Sequence, residues 1–269
     1  LSGEYREWEY CVQYRETAFD FVSRLMEQEG IYYYFDHEDG KHTMVLIDDA
    51  TAHEAYPDYK EIEFREYDRV LADSELIHEF DVSRTVQPGT FAQTDYDFAK
   101  PTKELMAKSA TVRDHELNEF EVFDYPGEYV EAADGDRYAS VRLDERQCRY
   151  EVAEGKGDNR GIAVGRTFKL IEHPIESLNA EYLVRSARIV AESDPFGSHG
   201  RGGNARDETM ETSFTVIPAS QQFRPPRLTP VPRVHGPQTA VVVGPSGNEI
   251  HTDEHGRVKV MFHWDRDAK

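Results

Sequence analysis

Proline places the strongest constraint on this chain, because each one fixes φ and removes a backbone donor. Seven of its 13 prolines fall between Pro218 and Pro245, in the run IPASQQFRPPRLTPVPRVHGPQ and just beyond it. No helix interior or central strand tolerates that density. The segment therefore reads as an extended, stiff connector. Charge changes at the same place. The 52 residues from Pro218 onward carry 7 basic and 5 acidic side chains, whereas the first 217 carry 24 and 47. The expected organisation is an acidic body over 1–217, a Pro-rich linker over 218–237 and a second unit over 238–269.

The whole chain carries a net charge of −21, a surface that repels phosphate backbones and polybasic-type membrane anchoring alike. Nucleic acid is accordingly not an expected partner. No apolar run approaches the roughly 20 residues of a membrane-spanning helix. The opening LSGEYREWEYC has neither a basic nor an apolar signal region, so no signal peptide is expected. Aromatic residues make up 12% of the chain, which supplies large side chains for a core and argues against disorder. Cys11 and Cys148 lie far apart with no paired spacing, which predicts free thiols rather than a disulfide framework.

The body reads as strands and turns with few helices, a mainly β, α+β chain. The clearest helix is predicted over 17–29. Thr17 caps it with Asp20 three residues on, Gly30 stops it, and Phe21, Val22, Leu25 and Met26 form one apolar face. IYYYF (31–35) and TMVLI (43–47) then flank HEDGK, a hairpin turning at Asp39-Gly40. Further strands are expected over 61–67, 77–86, 91–98, 168–171 and 182–192, and a second helix over 136–149. GKGDNRG (155–161) and HPIESLN (173–179) read as turns, and FGSHGRGGNAR (196–206) as a loop. Beyond the connector, TAVVVG (239–244) is an apolar strand. Val258, Val260 and Phe262 alternate with polar or bulky neighbours in a second strand after the turn at 253–256. These two strands read as the opening of a small barrel.

The chemical candidates are weak on residue grounds. His251, Asp253 and His255, with His263 and Asp265 nearby, could be read as metal ligands, but a turn does not make them converge, and a polar hairpin surface is expected instead. Gly244–Gly247 is not a nucleophile elbow, and no helix is expected after it. His199–Gly203 has an RGG flavour, but reads as loop. Among 52 carboxylates sequence cannot nominate a glycosidase pair. The run Tyr32-Tyr33-Tyr34-Phe35 could stack sugars or bases, but on a strand after an amphipathic helix it reads as packing. No catalytic, cofactor-binding or metal residue is nominated.

Four blocks in order carry a family resemblance. They are FVSRLMEQEGIYYYFDHEDGKHTMVLIDD (21–49), YDFAKPTKEL (96–105), EVFDYPGEY (121–129) and FRPPRLTPVPRVHGPQTAVVVGPSGNEIHTDEHGRVKVMFHWDRD (223–267). They resemble VgrG, the spike protein family of type VI secretion systems, itself similar to the hub and spike of contractile phage tails. The resemblance implies phage-tail-hub-like β-barrel tube domains, two of them interleaved over 1–217, followed by the beginning of an OB-fold domain over 238–269. It implies a non-enzymatic homotrimer that adapts a hexameric Hcp tube to a trimeric puncturing spike. Baseplate proteins, a PAAR-type tip protein and effectors are the implied partners, the last two through regions outside 1–269. No cofactor is implied. The family's extreme N-terminus and its β-helix would lie outside the chain. The implied route is assembly in the bacterial cytoplasm, then delivery by the type VI system to the outside or into a target cell. The rival readings are a carbohydrate-active hydrolase, testable by turnover on peptidoglycan, and a glycan-binding module resting on Tyr32 to Tyr34.

Overall fold

Thr17 starts the first helix, α1 (Ala18–Glu29), by accepting the Asp20 backbone N–H at 3.0 Å and donating its hydroxyl to the Asp20 carboxylate at 2.8 Å. Gly30, at φ 77°, ends it in the left-handed region that a side chain would disfavour. The expected apolar face is split. Met26 is buried whereas Val22 is exposed. Strands β1 (Tyr32–Glu38) and β2 (Lys41–Ile47) then pair antiparallel from Tyr32 opposite Ile47 to Glu38 opposite Lys41. Asp39 and Gly40 make the turn, as the dipeptide predicts.

The computed structural model describes residues 1–66, 75–193, 208–247 and 250–266. Six further strands form one sheet: β3 (Glu61–Glu63), β4 (Ile77–Arg84) and, after a second lobe, β8 (Glu151–Gly157), β9 (Thr167–Ile171), β10 (Glu181–Ser193) and β11 (Glu208–Pro218). Their order is β3-β9-β10-β11-β8-β4, antiparallel except where β3 runs parallel to β9. The two ends of that order meet. Phe64 bridges Ile77 in parallel, and the Arg65 N–H donates to the Ile77 carbonyl at 2.9 Å. The sheet thereby closes into a barrel at this one point, while β4 beyond Ile77 has no ladder partner on its outer side among the described residues.

Side chains fill this barrel. Ile62, Ile77, Ala153, Leu170, Val184 and Val216 come from all six strands and are nearly or fully buried. Burying one such aliphatic side chain contributes roughly 1.5–3 kcal/mol. Phe80, Phe168, Tyr182 and Phe214 complete the interior with edge-on or tilted contacts at 5.0–6.5 Å. Two glycines make room for them. A β-carbon on Gly155 would stand 2.4 Å from the Phe214 ring, and one on Gly157 would stand 2.2 Å from the Leu76 carbonyl oxygen. This corrects the reading of 155–161 as a turn: the glycines belong to β8, and only the residues after Gly157 turn.

The second lobe pairs β5 (Thr90–Gln93) antiparallel with β6 (Ala107–Ala110) and parallel with β7 (Glu121–Asp124), beneath α2 (Ala132–Gln147). Phe91, Leu105, Tyr129, Tyr138 and Leu143 form its core. The expected strand over 91–98 stops at Gln93, because the Asp95 and Asp97 carboxylates bond nearby backbone N–H groups in place of a ladder. The helix expected from 136 begins four residues earlier, at Ala132. The expected strand over 61–67 keeps β3, while Tyr67 and the loop expected over 196–206 lie outside the described residues. After the connector, β12 (Ala240–Val243) and β13 (Lys259–Phe262) pair as an antiparallel hairpin. Mostly strand with two α-helices among the described residues, the chain is α+β, as expected.

Candidate assembly surface

The seam between α1, α2 and the proline-rich segment is built from charged side chains that reach helix ends. Arg142, buried on α2, donates to the Glu27 carbonyl at 2.6 Å and to the Gln28 carbonyl at 3.1 Å. Arg224 donates to the Gly30 carbonyl at 3.0 Å and to the Asp48 carbonyl at 2.5 Å. Two guanidiniums thus meet the negative end of the α1 dipole, where orphan carbonyls need donors. Burial pulls Arg142 down to about 10. Glu29, also buried, receives the Tyr138 hydroxyl at 2.8 Å and an ion pair from Arg137.

Asp48 ties the start of the chain to this seam. Its carboxylate accepts the Ser2 and Gly3 backbone N–H groups at 2.8 and 2.6 Å and the Tyr5 hydroxyl at 2.7 Å. Burial works to raise this carboxyl, but the Tyr5 hydroxyl and the two N–H groups outweigh it and hold the group well below the usual carboxylate range. The connector is held as firmly. Leu228 and Thr229 donate backbone N–H groups to the Glu27 carboxylate at 3.0 and 2.9 Å, and the Thr229 hydroxyl adds a third bond at 2.8 Å. The stretch 222–229 is a strap fastened to the body. The prolines predict stiffness, but attachment was not legible, because the partners lie on distant elements.

The aromatic run divides by strand alternation. Tyr32 and Tyr34 face inward, Tyr32 edge-on to Phe223 at 4.9 Å and hydrogen-bonded to His53 at 2.8 Å. His53 Nδ1 lies 2.8 Å from the Gly165 carbonyl, which can only accept. So Nδ1 carries the proton, and Nε2 accepts from Tyr32. Burial lowers the His53 pKa and raises that of Tyr32. Tyr33 and Phe35 face outward with Leu46 and Met44 opposite, beside exposed Phe19. An outward apolar strip on a solvated hairpin is a candidate assembly surface.

The sequence's metal candidates stay apart from any such site. The Asp253 carboxylate accepts the His255 and Arg257 backbone N–H groups, both at 2.9 Å, and pairs with the Arg257 guanidinium, which draws it down to about 2. His255 lies edge-on to Phe98 at 5.5 Å. Among the described residues no three His, Cys, Asp or Glu side chains converge in a set that could hold a metal. Cys11 is exposed and Cys148 buried, both free thiols as expected. Asp48, Arg142 and Arg224 went unnominated in sequence, since no local spacing marks residues whose partners come from remote segments.

A model of the family described as phage tail baseplate hub (GPD) matches residues 1–195. The type VI secretion system spike proteins VgrG1b and VgrG1a of Pseudomonas aeruginosa are each 48% identical to the chain over 270 residues. Those alignments cover 99% of this chain but 36% and 41% of the two spike proteins, so it spans well under half their length. Among solved structures, the E. coli c3393 protein is described as a type VI secretion component similar to the T4 bacteriophage tail proteins gp27 and gp5. It matches at a TM-score of 0.56 and 18% identity, covering 92% of this chain and 50% of that one. That likeness is one of fold.

Proposed function

The chain belongs to the phage tail baseplate hub family, and we propose that it is a structural hub and spike subunit of a type VI secretion system. The observation that carries this is 48% identity to a spike protein along 99% of the chain. In this reading three copies assemble about an axis, dock a hexameric Hcp tube at one end and continue into a puncturing spike at the other. Baseplate proteins flank the hub, and a PAAR-type tip protein and effectors engage parts of the full-length protein outside 1–269. In this reading residues 1–217 are the tube region, with the six-stranded barrel and the lobe inserted in it as its two interleaved domains, 218–237 the linker and 238–269 the beginning of an OB-fold. The subunit is assembled in the bacterial cytoplasm and leaves through the type VI machine.

The physics suits a part that bears load. Five ladders link the six strands in series and the Phe64–Ile77 bridge closes the ring, so force on one strand is shared with its neighbours. The strap ties the next unit to α1 and Asp48, so force along the chain reaches the body through several bonds at once. Such a role requires no reaction. No helix among the described residues is long and apolar enough to cross a membrane.

Light scattering across a dilution series tests the assembly. A species near three times 31.0 kDa is expected. A 31.0-kDa species at every concentration would remove self-assembly of this region from the reading.

A further inference from the structure

Between the hairpin, the barrel and the strap lies a pocket of about 360 Å³, open on one side. Five aromatic residues contribute to its walls, Phe19, Tyr32, Tyr33, Tyr34 and Phe223, among aliphatic neighbours such as Met26 and Val164. That volume lies within the range of ligand sites, which combine apolar walls with few fixed polar groups. Two charged side chains line it, Glu27 and Arg185. Glu27 is already occupied by three donors from the strap. Arg185 differs. No carboxylate among the described residues pairs with it, in a chain whose net charge is −21.

The backbone explains why Arg185 stands at this rim. The pairing of β10 with β11 shifts register between Val184 and Ser186, leaving Arg185 as the extra residue of a β-bulge. Bulges re-aim side chains and recur next to functional sites. Here the guanidinium is carried to 5.9 Å from the centre of the Phe223 ring, on the pocket wall. An aromatic face orients a guanidinium and leaves its donors free for a carboxylate.

We propose that this pocket is a peptide-docking site, taking an aromatic or branched aliphatic side chain whose neighbouring carboxylate pairs with Arg185. The partner is an extended acidic–aromatic segment of another protein. Charge complementarity selects the carboxylate, because among the described residues no carboxylate pairs with Arg185 at the rim. The open side selects a side chain projecting from a backbone outside, since a small free ligand needs most of its surface enclosed. The site stands apart from the hub reading: its failure would leave the barrel, the strap and the assembly untouched.

The test is calorimetric titration with the acetylated, amidated heptapeptide SEFEIES, a sequence absent from this chain, and with its uncharged counterpart SQFQIQS. Saturable 1:1 binding of the first is expected, with at least ten-fold loss for the second. Arg185→Glu should cost at least ten-fold while Arg185→Lys retains most of the affinity. Arg185 is exposed, so both variants should melt like the parent. A Val164→Trp variant, filling the rim, should also abolish binding. Equal affinity of parent and Arg185→Glu overturns the proposal, as does an absence of saturable binding. So does 3-phenylpropionate binding as tightly as the peptide, which would identify a small aryl-carboxylate site instead.

Discussion

At the residue scale, single side chains do what their local chemistry allows, and their importance depends on whether the partner is near in sequence. Thr17 and Gly30 were legible because a helix cap and stop involve neighbours within a few positions. Gly155 and Gly157 were misread, because glycine marks a turn and a close approach with the same letter; the approaching groups, Phe214 and Leu76, sit far along the chain. His53 was not nominated at all, yet it is the buried imidazole that joins Tyr32 to the Gly165 carbonyl. Its pKa is lowered, first by burial, so the folded chain keeps it neutral where the unfolded chain protonates it. With more protons bound unfolded, stability must fall as pH drops below about 6.5 and level off above it. Thermal melts between pH 8 and 5 should show that loss, and His53→Gln should reduce the slope. An unchanged slope would assign the effect to other groups.

At the element scale, α1 and the first hairpin followed from periodicity and the Asp39-Gly40 turn, because both are local patterns. Strand β11 went unread, since a polar threonine, Thr212, occupies a fully buried position in its alternation with Phe214 and Val216. The short strands β6 and β7 carry too little apolar signal to stand out. Beyond Pro218 the connector forms no helix or strand, and its attachment was not read. Arg224 contributes most visibly to that attachment, and with it gone the Gly30 and Asp48 carbonyls lose a charged donor and half-buried Asp144 loses its nearby cation at 3.7 Å. Arg224→Ala should cost about 2–4 kcal/mol in chemical denaturation. Hydrogen exchange should rise across 222–229 while the barrel strands stay protected. Unaltered stability together with unaltered exchange would mean that the prolines alone hold the strap.

At the scale of the whole molecule, the four sequence blocks pointed to the family that the hub match and the spike relatives bear out. Closure of the barrel was not legible. It joins β3 to β4 through the Phe64–Ile77 bridge and sets the rest of the ring from strands about a hundred residues downstream, with a whole lobe inserted between β4 and β8. Pairings so distant in sequence leave no periodic trace. The account's central claim, that this region is the hub part of a type VI spike, is tested most directly in a working machine. Residues 1–269 would replace the matching segment of VgrG1b in a Pseudomonas aeruginosa strain lacking its own spike proteins, with Hcp in the medium as the readout. Secretion restored close to the level given by the parental spike is the predicted result. A stable, full-length chimera that releases no Hcp would contradict the account.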